Sequence, residues 1–155
     1  MNQRVVPALI AVLGAALIVL AALIPEFNDR GVGVTPLDPQ RLGWVASLVG
    51  ILVQVGLFLV PAALLALGQA RSAAGGILVG AGVLGLTIRL VRIVQLGQTP
   101  GFDAAAGSLI DLLADGAALT AGVLALTASP EEEDEDAWDE VGDPESGPLP
   151  EESGP

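Results

Sequence analysis

Four charged side chains interrupt the long apolar stretches of this sequence, and they are the first candidates for chemistry. Arg89 and Arg92 lie three residues apart in one stretch, and Asp111 and Asp115 lie four apart in the next. In helices, these spacings place each pair on one face, where a neighbouring helix can be reached. Because charges inside a membrane span need partners, the pattern predicts cross-helix ion pairs or, alternatively, an ion or proton pathway.

The segment between the two charged stretches predicts an antiparallel helical hairpin. Residues 97–101 read Gly-Gln-Thr-Pro-Gly, which is the composition of a tight turn. Helical side chains lean toward the N-terminus of their own helix, which brings residues at similar distances from the turn to the same depth. We therefore expect Arg89 to pair with Asp115, and Arg92 to pair with Asp111.

A different placement of the arginines is also compatible with the sequence. Residues 73–88 precede Arg89 within its apolar stretch, and they correspond to about 24 Å of helix. Both guanidinium groups could therefore extend to a thinned membrane surface. In that case the tip of the hairpin would stand partly in water and the ion-pair site would not exist.

The residue types present exclude several kinds of catalytic and metal site. The chain has neither Cys nor His, which excludes thiol chemistry, disulfides and His-based acid-base or metal sites. Intramembrane aspartyl proteolysis needs two aspartates on different helices, whereas Asp111 and Asp115 share one. We expect no catalytic residue, no metal, no cofactor and no enzymatic activity.

Hydropathy predicts an all-α integral membrane bundle of four transmembrane helices. The mean hydropathy is +0.68, and stretches long enough to span a bilayer cover residues 5–24, 42–67, 73–96 and 104–128. They form a predicted transmembrane domain at 1–129. The alternative for the first stretch is a cleavable signal peptide, which its length and the lack of a clean cleavage site disfavour.

Acidic residues are concentrated after the last apolar stretch. The net charge is −12, and of eighteen acids twelve lie in residues 131–155, which contain no base. Residues 130–155 are therefore predicted to form a disordered acidic tail that cannot bury a core. We expect no binding to nucleic acid, because a basic surface is missing. This lysine-free, acid-tailed composition resembles that of salt-adapted archaeal proteins.

The second apolar stretch carries polar and small residues on one helical face. Ser47 and Gln54 share this face with Gly43, Gly50 and Pro61. Such faces are typical of close helix packing in membranes, so Ser47 and Gln54 are candidates for polar packing between helices. The alternative for Gln54 is that it lines a polar path. The preceding polar segment, which separates the first two stretches, is expected to be a surface loop.

The charged hairpin resembles the proton-carrying subunit of rotary ATPases in its glycine-rich helix, its polar turn and the carboxylate on the next helix. That resemblance implies an intramembrane carboxylate that carries protons. The sequence departs from the pattern because Arg89 and Arg92 lie within the helix rather than in the turn. The first two apolar stretches repeat none of it.

Two classes of function are compatible with these features. One is an accessory, assembly or scaffold protein with a structural Arg/Asp site, and the other is a small transporter or channel component that uses Asp111 and Asp115 as an ion or proton site. Independent transporters usually contain more helices or an inverted repeat, which favours the first class.

The expected partners and topology follow from the four predicted spans. The partners are the lipid bilayer and either other membrane proteins or further copies of the chain. Four spans place both termini on the same side of the cell membrane. Arg4 precedes the first stretch and acids follow it, which favours the cytoplasmic side for both termini.

Overall fold

The computed structural model describes residues 5–39 and 43–128. Within this part of the chain four helices dominate, each long and apolar enough to span a membrane. They are α1 (Val5–Leu23), α2 (Trp44–Ala66), α3 (Arg71–Gly97) and α4 (Ala106–Thr127). Their ends lie within two residues of the predicted boundaries. The predicted acidic tail lies outside the described residues.

Proline and glycine determine where two of the helices end. α1 ends at Leu23, two residues before Pro25, because proline disfavours the helical conformation of the residue that precedes it. The short connection between α2 and α3 contains Gly68 with a φ of 69°, a left-handed conformation that glycine adopts at little cost. Pro61 lies inside α2 and is buried.

A small antiparallel sheet covers one end of the bundle, where the sequence predicted only a surface loop and a tight turn. The central strand β1 (Phe27–Asp29) pairs with β2 (Val32–Val34) on one side and with β3 (Phe102–Ala104) on the other. The turn between β1 and β2 is Arg30-Gly31, with positive φ angles of 49° and 83°. Two such angles are typical of the type I′ turn, which matches the twist of a hairpin. The structure is mostly helical, as predicted, and these three short strands are an addition that the sequence analysis did not predict.

Backbone hydrogen bonds fix the segment that follows α1 against the start of α4. The amide of Glu26 donates to Val34 O at 2.9 Å, and the amide of Ala105 donates to Glu26 O at 3.0 Å. The amide of Gly107 donates to Pro25 O at 2.9 Å. The position of Glu26 is therefore set on both sides, by the sheet and by α4.

The helices pack with α4 at the centre of the contacts. α4 contacts α3 and α1 most extensively, whereas α2 packs mainly on α1. At the end opposite the sheet, Val6 and Pro7 line the same surface depression as Leu124 and Thr127. The beginning of α1 and the end of α4 therefore lie at the same end of the bundle.

Glycine residues allow α3 and α4 to approach closely. A Cβ atom on Gly82 would lie 2.7 Å from Leu119 N and 2.8 Å from Asp115 O. A Cβ atom on Gly85 would overlap the Asp115 carboxylate. The two backbones therefore meet at the level where the charged side chains lie.

The interior is built mainly from small residues with a few charged ones, and most of the large aliphatic side chains point outward. Alanine supplies most of the buried core, and the buried charged residues are Glu26, Asp111 and Asp115. Among the exposed aliphatic residues are Leu9, Leu13, Leu52, Val60, Leu84, Val94, Leu109 and Leu113. Soluble proteins show the opposite distribution, so this surface is suited to an apolar surrounding.

Substitution of the closely packed glycine should destabilise the fold, while a neighbouring glycine serves as a control. Gly82→Ala places a methyl group against the backbone of α4, and we expect it to lower the free energy of unfolding by about 1–3 kcal/mol. A Cβ atom on Gly80 would meet nothing within 4 Å, so Gly80→Ala should be neutral or stabilise by up to about 1 kcal/mol through helix propensity. Unfolding in detergent, followed by circular dichroism, measures both, and equal effects would contradict the close approach.

Candidate functional site

Arg89 on α3 binds side chains from two other helices. Its Nε donates to Asp115 Oδ2 at 2.9 Å, its Nη2 donates to Gln54 Oε1 at 3.1 Å, and its Nη1 donates to Asp111 Oδ2. Gln54 Nε2 in turn donates to Asp115 Oδ1 at 3.1 Å. These four residues form the inner network (Gln54, Arg89, Asp111 and Asp115), which joins α2, α3 and α4.

The inner network lies deep in the bundle. Asp115 is fully buried, and the side chain of Arg89 is 17% exposed. Asp115 follows the first residue of α4 by nine positions, or about 13 Å of helix, which places it near the middle of this helix. Both of its carboxylate oxygens accept a hydrogen bond. Its charge is thus paired and hydrogen-bonded, as a buried carboxylate requires.

A second ion pair lies nearer the sheet. Arg92 Nη1 donates to Glu26 Oε1 at 2.6 Å, and the guanidinium carbon lies 5.6 Å from the centroid of the Phe27 ring. This ring contacts Phe102 at a centroid distance of 5.8 Å. Glu26 and Arg92 form the outer pair. The side chain of Arg92 is 48% exposed, whereas that of Glu26 is 9% exposed.

The structure contains one of the two expected ion pairs and corrects the other. Arg89 pairs with Asp115 as expected, but Arg92 pairs with Glu26 rather than with Asp111. Asp111 and Asp115 are one helical turn apart, so the planar guanidinium of Arg89 can bind both with different nitrogen atoms. The sheet meanwhile brings Glu26 to the level of Arg92. Sequence reasoning missed Glu26, and its only signal is an acid directly after the first apolar stretch.

An open cleft of about 260 Å³ leads from the sheet end of the bundle to the outer pair and to the inner network. Its apolar walls come from α1 and α2, including Ile18, Trp44 and Ile51, and its polar lining includes Glu26, Ser47, Gln54, Arg89, Arg92 and Asp111. The face of α2 that was predicted to pack against other helices therefore lines an open cleft over part of its length. Ser47 and Gly50 line this cleft, and a Cβ atom on Gly50 would meet nothing within 4 Å. Gln54 does bridge helices, through Arg89 and Asp115.

The chemistry available at this site is binding by charge and hydrogen bonding. Among the described residues there is no group of three or more acids, histidines or cysteines that could hold a metal ion. The nearby hydroxyl of Ser108 donates to Ala105 O at 2.7 Å, so it is used at the start of α4. The arginines supply fixed positive charge, and the carboxylates of Glu26 and Asp111 face the cleft.

Removal of Arg89 should destabilise the protein more than removal of Arg92. Arg89→Met leaves two buried carboxylates without a cationic partner, for which we expect a loss of about 3–5 kcal/mol in the free energy of unfolding. Arg92→Met removes a half-exposed partner and one hydrogen bond of the buried Glu26 carboxylate, for which we expect about 2 kcal/mol. Denaturant unfolding of both variants in the same detergent makes the comparison. Similar losses for the two variants would contradict the central position of Arg89.

Comparison of the chain with protein-family models, with curated proteins and with solved structures gives no match. The function must therefore be inferred from the geometry of the site.

Proposed function

We propose that this chain is a multi-pass protein of the cell membrane with four spans, and that it serves as an accessory, assembly or scaffold protein rather than as an enzyme. The membrane assignment is supported by helices of sufficient length and apolarity. It is also supported by the aliphatic exterior and charged interior, because lipid replaces water around such a surface. Both termini lie on the cytoplasmic side in this proposal.

The closed hydrogen bonding of Gln54, Arg89 and Asp115 within the inner network is the observation that carries the structural role. Asp115 has a donor on each oxygen, and Arg89 binds both aspartates and Gln54. These bonds connect three helices at mid-depth, where a side chain without a partner would be strongly unfavourable. The inner network therefore specifies which helix faces meet, in the way that polar groups select partners between membrane helices.

The distribution of buried polar side chains argues against conduction through the bundle by this chain alone. Among the described residues, the buried polar and charged side chains are Glu26, Ser108, Asp111 and Asp115, all between the sheet and mid-depth. Between Asp115 and the end of the bundle opposite the sheet, the core consists of apolar residues such as Leu78, Ala118, Ala121 and Ala125. An ion would lose its polar partners there.

The limited burial of α3 supports a role in assembly. Of its 27 residues, only Ala74, Gly75, Leu78 and Gly82 are buried. On its uncovered surface Gly76 and Gly80 lie four residues apart, and a Cβ atom on either would meet nothing within 4 Å. Exposed glycines at this spacing permit close approach of another membrane helix. The partner class that fits is a membrane protein or a second copy of this chain.

A transporter or channel component is the second candidate, and one observation favours it. The cleft reaches Asp111 from the sheet end, so a cation could approach one carboxylate of the inner network without any rearrangement of the helices. In this alternative Asp111 and Asp115 are an ion or proton site, and partner subunits complete the path.

The topology proposal predicts that both termini are labelled from the same side. The chain lacks cysteine, so single substitutions Asn2→Cys and Ser153→Cys give one reactive thiol each. We expect both to be protected from a membrane-impermeant maleimide in intact cells and to react after permeabilisation. Labelling on opposite sides would contradict four spans. Labelling of both in intact cells would reverse the orientation.

The structural role predicts that removing all three charges of the inner network is tolerated better than removing one. The triple variant Arg89→Gln, Asp111→Asn, Asp115→Asn keeps hydrogen-bonding groups but removes every charge of the inner network. We expect its unfolding midpoint to lie closer to the wild type than that of Arg89→Gln alone, because a charge that loses its partner is the main penalty.

The two candidate functions differ in what this triple variant retains. Purification in mild detergent should recover the same stoichiometric membrane partners with the wild type and with the triple variant. Proton or sodium flux by the wild-type protein in liposomes that is absent from a folded triple variant would instead establish the transport candidate.

A further inference from the structure

Within the described part of the chain, two carboxylates of the charged site, Glu26 and Asp111, have an oxygen without a hydrogen bond, whereas both oxygens of Asp115 accept one. Glu26 and Asp111 are 7% and 6% exposed, and both line the cleft. Each uses one carboxylate oxygen for an arginine, Oε1 in Glu26 and Oδ2 in Asp111. Among the described residues, no donor contacts Glu26 Oε2 or Asp111 Oδ1. Two largely buried acceptors are thus available at the cleft.

The charge balance of the site indicates the sign of a ligand. The described charged residues of the inner network and the outer pair are three carboxylates and two guanidinium groups, Glu26, Asp111, Asp115, Arg89 and Arg92. With all three carboxylates ionised, one negative charge is in excess. In a region of low dielectric such a charge is costly, and a monovalent cation would compensate it. An anion would add to the excess.

The size and lining of the cleft indicate the kind of cation. A volume of about 260 Å³ is much larger than a single dehydrated metal ion needs. Ile18 and Ile51 supply apolar surface, and Trp44 supplies an aromatic ring near the mouth. Ammonium groups are attracted both to carboxylates and to the face of tryptophan. An alkyl chain attached to the ammonium would contact the aliphatic walls.

From these observations we propose that the cleft is a binding site for a small organic monocation, a primary amine with a short alkyl chain. The ammonium group binds between Glu26 and Asp111, and the alkyl chain lies along α1 and α2. Within the inner network only Asp111 contributes, through its free oxygen Oδ1, and the hydrogen bonds among Gln54, Arg89 and Asp115 are unchanged. The proposal goes beyond the accessory role and does not depend on it.

Fluorescence of Trp44 tests the proposal directly. The sequence contains two tryptophans, so Trp138→Phe in the full chain leaves Trp44 as the only reporter. The purified protein in detergent is titrated at constant ionic strength with butylammonium chloride, with sodium butyrate and with 1-butanol. These probes share a four-carbon skeleton and differ in charge. We expect a saturable change in emission with butylammonium, at concentrations at least about tenfold lower than for the other two.

Substitutions in the same background locate the binding groups. Glu26→Gln and Asp111→Asn should each weaken butylammonium binding by about tenfold or more, because each removes one of the charged acceptors. Asp103→Asn is the matched control, since this exposed carboxylate lies on β3 outside the cleft, and it should leave binding unchanged. If Asp111→Asn does not fold, Glu26→Gln decides, because its partner Arg92 is half-exposed.

Three results would overturn the amine site. They are an equal response to butanol and butylammonium, unchanged amine binding in both Glu26→Gln and Asp111→Asn, and displacement of the amine by sodium at equal concentration. None of these results bears on whether the inner network is structural, which the triple variant tests separately. A failure of the cleft proposal is therefore distinguishable from a failure of the proposed function.

Discussion

The guanidinium of Arg89 is the group on which the rest of the structure depends. Its three nitrogen atoms donate to side chains of α2 and α4. Because the guanidinium group is planar, these hydrogen bonds form only within a narrow range of distances and angles. Arg89 must bind these acceptors together, because a buried carboxylate without a cationic partner is strongly destabilising. The relative depth of three helices is thereby fixed at one level.

The composition of the interface follows from this requirement. Arg89 on α3 can reach the carboxylates of α4 only if the two helices lie close together. This requires small residues on the face of α3 that contacts α4. Gly82 and Gly85 meet this condition, since a Cβ atom on either would collide with Asp115 or its neighbours. The smallest residues of α3 therefore lie beside the buried carboxylate of Asp115. Aliphatic bulk, which fills the core of a soluble protein, is displaced to the outside.

The helices and the site were predictable from the sequence to different degrees. Long apolar stretches predict helices well because length alone separates them from other elements, and the spacing of Arg89 and Asp115 indicated their contact. The three strands were missed because three residues give no periodic signal. The role of Glu26 was missed because its contact with Arg92 depends on the path of the segment that follows α1, which the sequence does not indicate. The cleft was missed because a face with glycine and serine looks alike whether it borders a helix or a void.

The sheet has a consequence for how this bundle can move. β1 follows α1, and β3 lies between α3 and α4. Because β1 and β3 are hydrogen-bonded to each other, these three helices are connected at one end of the bundle. α2 is not tied in this way, and glycines with positive φ angles, Gly43 and Gly68, stand at its two ends. Such positions absorb changes in chain direction with little strain. Among the described helices α2 is thus the least constrained by the sheet, and a change in its tilt would alter the width of the cleft and the position of Gln54.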